Sequence, residues 1–189
     1  MTTNLIPVAA VAPQAWRNGG GQTRELLVWP AQGPWQLRIS RADISADGPF
    51  SAFPGVTRWF AVLHGHGVAL TMQGERREMR ISDDALRFDG DLAPECQLLD
   101  GPTEDLNLMA IGGESVMHKV IADSPWDPGL PMRGLYTTVG GLWHSQHHKC
   151  MVDAHSLLWE PDSTHGAWRF TPDAGTNGSA WWLGYCAKD

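Results

Sequence analysis

An all-β fold is predicted by three features of the sequence: closely spaced turn signals, period-2 alternation between them, and no long segment of helical period. Turns are signalled by NGGG at 18–21, DGP at 47–49, HGHG at 64–67, DGD at 89–91 and DGP at 100–102. Turn signals that recur through the chain with short apolar runs between them belong to β-sandwiches and barrels. Between these signals the side chains alternate, as in a strand whose successive residues face opposite sides.

In order along the chain, Trp35, Leu37 and Ile39 share one strand face, and Gln36, Arg38 and Ser40 share the other. Residues 57–72 read as two strands around His64-Gly65-His66-Gly67, followed by short strands at 85–88, 96–99, 106–111 and 116–121. These runs are rich in β-branched, aromatic and aliphatic residues. A Pro- and Gly-rich stretch at 123–131 reads as a linker or as part of one packed body, and the strands expected beyond it are 135–139, 150–158, 167–170 and 180–186.

Composition removes whole classes of partner. With 21 acidic against 14 basic residues and a net charge of −7, the chain has no field to hold a nucleic-acid backbone or an anionic membrane surface. No apolar run approaches the roughly 18 residues of a membrane span. The opening segment has no basic residue before its apolar stretch and is interrupted by Pro7 and Pro13, unlike a signal peptide. Cys96, Cys150 and Cys186 show no CxxC spacing, and an odd number cannot form a complete disulfide framework, so a cytoplasmic location is expected.

Four groups of residues could carry chemistry. In Trp16-x-Asn18-Gly19-Gly20-Gly21-x-Thr23-x-Glu25, polar side chains flank glycines that can bring backbone N–H groups close to a ligand or simply form a capped hairpin turn. It is no P-loop, because the GxxxxGK[ST] spacing is absent. In the second group, Phe50 and Phe53 pin a loop that leads to Arg58, whose planar fork can hold a carboxylate if it points inward, or lie solvated if it does not. Arg38 has the same two readings. In the third, Asp89, Asp91, Asp100 and Asp105 lie near glycine turns and read as turn residues, whereas Asn107, between Leu106 and Leu108, points the other way, into a cavity. In the fourth, His64-x-His66 and the cluster His144, His147, His148 and Cys150 offer imidazoles without regular ligand spacing, and read as loop or surface groups.

Taken together, WRNGGGQTREL (16–26), WQLRISRADI (35–44), DGPFSAFPGVTRWFAVLHGHGVAL (47–70) and FDGDLAPECQLLDGPTEDLNLM (88–109) resemble the HutD/Ves family in order and spacing, over about residues 6–120. The resemblance implies a bicupin, two cupin-like β-barrels merged in a single domain over 1–189. Its first lobe would span about 1–122 and its second about 132–189 plus N-terminal strands. It also implies, for one branch, a regulator of histidine utilisation that senses an intermediate, with urocanate or N-formylglutamate as suspected ligands; the other branch is tied to stress response. On the matching positions, Arg58 becomes the carboxylate anchor in the barrel mouth, supported by Asn18, Thr23, Arg38 and Ser40.

Metal-binding cupins carry an HxH and a glutamate on the strand before one that reads like YVLxGxG. Here that strand is FAVLHGHG and GPFSAFPG precedes it, so neither a metal nor another cofactor is expected. The expected partner is a small anionic metabolite. A homodimer is hinted at only by Trp126, Trp143, Trp181 and Trp182, outside the region of resemblance. The rival class is an enzyme, a cupin isomerase or hydrolase acting on a small histidine-derived acid, with the His144 to Cys150 cluster as its metal variant.

Overall fold

The computed structural model describes residues 3–163 and 166–188. Among them there is no α-helix, only strands and two short 3-10 turns, and so no helix long and apolar enough to cross a membrane. The chain opens on β1 (Asn4–Pro7). There follow β2 (Gln14–Ala15), β3 (Gly21–Trp29), β4 (Leu37–Ile44), β5 (Gly48–Pro49), β6 (Val56–His64), β7 (Val68–Met72), β8 (Glu75–Met79), β9 (Leu86–Asp89), β10 (Glu95–Leu98) and β11 (Thr103–Ile111). The last third holds β12 (Glu114–Lys119), β13 (Met132–Thr137), β14 (Gly141–His144), β15 (Lys149–Val152), β16 (Ser156–Glu160), β17 (Arg169–Pro172) and β18 (Ala180–Cys186).

These strands form two compact units, one contiguous (Ala12–Gly112) and one split (Met1–Val11 with Gly113–Asp189). In the contiguous unit a six-stranded sheet, β2-β3-β4-β11-β6-β9, faces a four-stranded one, β5-β10-β7-β8. Ile44, Phe60, Val62 and Phe88 from the first meet Val68, Leu70, Met79 and Cys96 from the second in one apolar core. Strand alternation aims them: in β4 the residues Arg38, Ser40, Ala42 and Ile44 share a face, which therefore grades from polar to apolar along the strand. Leu37 and Ile39, on the opposite face, are buried too.

The split unit pairs its N-terminal β1 with β16 in a five-stranded sheet, β1-β16-β13-β18-β12, beside a three-stranded sheet, β15-β14-β17. Its interior is filled by indoles. Trp126 stacks on Trp182 at 5.0 Å between ring centroids, and Trp143 meets Trp168 edge-on, also at 5.0 Å. Trp143, Trp181 and Trp182 are buried and Trp126 is half-buried, so the tryptophans that hinted at a dimer face are packing groups instead. The Pro- and Gly-rich stretch is pinned within this unit: Trp126 and Trp168 exchange backbone hydrogen bonds, and Arg133 reaches Asp127 and the Leu130 carbonyl.

Two expectations need correction. The single strand expected over 150–158 is two, β15 and β16, separated by a turn in which His155 has φ +53°. β8 was not expected, because its sequence Glu-Arg-Arg-Glu-Met shows no apolar alternation. It forms because Gln73 and Gly74, at φ +51° and +85°, make the two-residue turn whose twist suits a hairpin with β7.

Candidate functional site

Three neighbouring strands build one polar patch in the contiguous unit. In the ladder register, Met109 of β11 lies opposite both Arg38 of β4 and Arg58 of β6, and Asn107 lies opposite Ser40 and Phe60. Side chains opposite one another in antiparallel strands share a face and touch, so Arg38, Ser40, Arg58, Asn107 and Met109 come together although 71 positions separate the first from the last. They line a pocket of about 530 Å³ together with the β2–β3 hairpin and the Phe50 loop. All five predicted binding residues, Asn18, Thr23, Arg38, Ser40 and Arg58, are on its lining, as is Asn107.

The hairpin contributes by folding back over this face. Gln14 pairs with Thr23, Gly19 takes φ +72° in the turn, and a side chain at Gly21 would collide with the Asp43 carbonyl, 2.3 Å from its Cβ position. Asn18 serves the turn as well as the pocket, its Oδ1 accepting from the Gly20 amide at 3.0 Å. Thr23 accepts from the Trp16 indole N–H at 2.7 Å, which leaves its own hydroxyl proton for another acceptor.

Arg58 is the unusual group. It is 6% exposed, and its guanidinium carbon lies over the rings of Phe50, Phe53 and Phe88 at 5.1, 5.6 and 5.1 Å. Cation–π attraction offsets part of the cost of burial, about 0.5–2 kcal/mol per ring. Its polar partners are meagre: the Ser51 carbonyl accepts at 3.4 Å and Asn107 Oδ1 at 3.3 Å, while the buried Nε has no partner. No carboxylate pairs with it among the described residues. Burial first, and then nearby Arg38, lower its pKa to about 10, so it stays charged at neutral pH.

Arg38, by contrast, has a counter-ion. Glu25 Oε2 is 2.6 Å from its Nε, and Glu25 Oε1 accepts from Gln14 at 3.3 Å. A β-bulge between Glu25 and Leu27 re-aims the β3 side chains at this point.

Asp105 corrects the reading of the acidic group as turn residues. It lies inside β11, on the same face as Asn107, and is fully buried. Thr103 donates to its Oδ2 at 3.0 Å and its Oδ1 has no partner. Burial holds its carboxyl well above the usual carboxylate range, because the charged form would lie unsolvated in the core.

Of the histidines considered as ligands, His66, His147 and His148 lie in loops, while His64 and His144 end β6 and β14. His64, His66, His147 and His148 are exposed, and His66 Nδ1 contacts the Asp100 carbonyl at 2.8 Å. Among the described residues no three His, Cys, Asp or Glu side chains are grouped to hold a metal. In the pocket itself the charged lining is Arg17, Arg38 and Arg58, which repel a cation, so a cupin metal does not fit there. Arg17 also lines the pocket, and in the sequence its sole signal is its place beside Asn18 in the glycine-rich hairpin.

A two-sheet β enclosure whose polar mouth carries this pocket is the architecture of a cupin-fold protein. More narrowly, the chain belongs to the HutD family, whose model matches residues 8–125. It is 38% identical over 96 residues to an uncharacterised 21.2 kDa protein from the hutC 3′ region of Pseudomonas putida, so that the match spans half of each chain. Over 149 residues, 78% of this chain and 82% of the other, it is 28% identical to Protein Ves of Cronobacter sakazakii. The solved structure of HutD from Pseudomonas fluorescens SBW25 superposes with a TM-score of 0.83 over 98% of this chain and 100% of that one, at 22% identity, which speaks for the fold alone.

Proposed function

We propose that this protein is a metal-free binding protein that takes a small carboxylate metabolite into the pocket of its contiguous unit and thereby moderates histidine utilisation. The observation that carries the reading is Arg58, a buried guanidinium with two long hydrogen bonds and no anion of its own. A buried, unpaired charge is costly, and an incoming carboxylate removes that cost while forming charge-assisted hydrogen bonds. Asn107, Ser40 and Thr23 supply neutral donors around it. The lining supports binding over turnover, because it offers no carboxylate, imidazole, thiol or amine to move a proton. The acid we favour is one of histidine degradation, urocanate or N-formylglutamate, a choice supported by membership of the HutD family and by the relative from the hutC region.

The test is a thermal melt of the purified protein with urocanate, N-formylglutamate, glutamate and formate in turn. A ligand at 100 times its Kd adds about 2.7 kcal/mol, and for a chain of this length the midpoint should rise by roughly 5–10 °C. The rise should come with one acid and fall by about half or more in Arg58→Ala, whose affinity should drop by about ten- to a hundredfold. An undiminished rise in that variant removes Arg58 as the anchor.

A further inference from the structure

We propose that the contiguous unit carries a second binding site, a groove between β8 and β9 that takes a free amino acid with an apolar side chain. β8 ends the four-stranded sheet and β9 ends the six-stranded one, so each has an edge with no partner strand among the described residues. The groove beside these edges has a volume of about 590 Å³, within the range of small-molecule sites, and shares no lining residue with the polar pocket. Its apolar lining is Met72, Leu86, Phe88 and Leu92, which belong to the core cluster or pack against it. Strand alternation supplies the polar lining. On β8, Glu75 and Arg77 share the face of buried Met79, yet both are exposed where the groove opens; on β9, exposed Arg87 and Asp89 alternate with buried Leu86 and Phe88.

The charges decide the ligand class. Arg76 is matched within the chain by Glu78 at 2.7 Å, and Glu78 also holds Arg80 at 2.9 Å. That leaves two cations, Arg77 and Arg87, and two anions, Glu75 and Asp89, with no ion pair among the described residues. Unpaired charges scattered over a surface are simply solvated; these four differ in that both signs line one concave space with an apolar lining. A ligand that is only an anion would meet the arginines and be repelled by the carboxylates, and a cation would meet the reverse. A molecule with one charge of each sign beside an apolar body matches the whole set. An α-amino acid is such a molecule: its carboxylate suits an arginine fork, its ammonium suits Glu75 or Asp89, and its side chain is removed from water against Leu86 and Phe88.

The experiment is calorimetric titration of the full chain at neutral pH and low ionic strength with L-phenylalanine, glycine, 3-phenylpropionate, phenethylamine and the uncharged N-acetylphenylalanine amide. It is run in the parent and in Arg58→Ala, whose polar pocket has lost its anchor, so that the analogues report on the groove. Phenylalanine should bind equally in both, about three- to fivefold more tightly than either singly charged analogue, as one partly exposed ion pair allows. Glycine, lacking the apolar side chain, should bind about tenfold more weakly, and the amide should bind no better than the singly charged analogues. Replacing both arginines (Arg77→Ala with Arg87→Ala) should bring phenylalanine down to the level of phenethylamine, and replacing both carboxylates (Glu75→Gln with Asp89→Asn) should bring it down to that of phenylpropionate. All four side chains are exposed, so the melting midpoint should not move. Absence of phenylalanine binding, equally tight binding of a singly charged analogue or of the amide, or indifference to both double substitutions overturns the second site. Phenylalanine binding that disappears in Arg58→Ala overturns it as well, by placing that ligand in the polar pocket.

Discussion

Two buried arginines, one in each unit, differ in how far the protein itself satisfies them. Arg133 in the split unit is 1% exposed and satisfied at every nitrogen: Nε donates to the Leu130 carbonyl at 2.8 Å, Nη1 to the Gly166 carbonyl at 2.7 Å and Nη2 to Asp127 at 2.9 Å. Arg58 in the contiguous unit is nearly as buried, yet its two contacts are 3.3 and 3.4 Å long and its Nε has none. The surroundings differ in the same sense. Around Trp143, Trp168 and Trp182 the split unit is filled with rings, while the contiguous unit ends its core at Phe60 and Phe88 and leaves a mouth open above. Arg133 is satisfied wholly from within the fold, whereas Arg58 is left with a deficit of partners, which under the proposed function a ligand would fill.

This contrast can be broken by substitution. The largest effect is expected from Trp168→Ala, which opens a void among stacked indoles and should cost about 3–5 kcal/mol in urea unfolding. Arg133→Met strands two carbonyls and should cost about 2–3 kcal/mol by the same measurement. Arg58→Met should go the other way, leaving stability unchanged or raising it by about 1 kcal/mol, because replacing a poorly compensated buried charge with an apolar chain removes a desolvation penalty. A loss from Arg58→Met as large as that from Arg133→Met would erase the distinction between the two arginines.

The smallest effect concerns pH. Asp105 keeps its proton in the folded state at pH values where an unfolded aspartate has lost it. Its contribution to stability is therefore full below the ordinary carboxylate pKa and declines as pH rises through the raised value. Asp105→Asn should flatten that decline, and a stability–pH profile of the variant parallel to the parent's from pH 4 upward would show that the carboxyl is not held neutral.

Much of this was legible in the sequence because strand alternation is a local signal. β18 falls on the expected 180–186, and the face shared by Arg38 and Ser40 followed from counting by twos. The same arithmetic turned Asn107 away from its leucine neighbours and into the pocket. Arg17's place in the pocket and the aromatic rings against Arg58 were not legible, since they depend on a hairpin folding back and on a ladder register linking β4, β6 and β11. Asp105 was misread for the opposite reason. Its closeness to the Gly101 turn outweighed the alternation that sets it in line with Asn107 and Met109 on the inner face.

The pairing of β1 with β16 sets an order of events during synthesis. β1 leaves the ribosome ahead of β16 and has no strand to join until residues 156–160 have followed it. At about 5–20 residues per second that is a wait of roughly 8–30 s. The contiguous unit needs nothing beyond Gly112 to close its sheets, so the pocket can form while the N-terminal strand is still unpaired. Leu5, the most apolar side chain in β1 to remain substantially exposed, is then flanked by Asn4 and followed by a proline at position 7, features that discourage a waiting strand from pairing with the wrong neighbour.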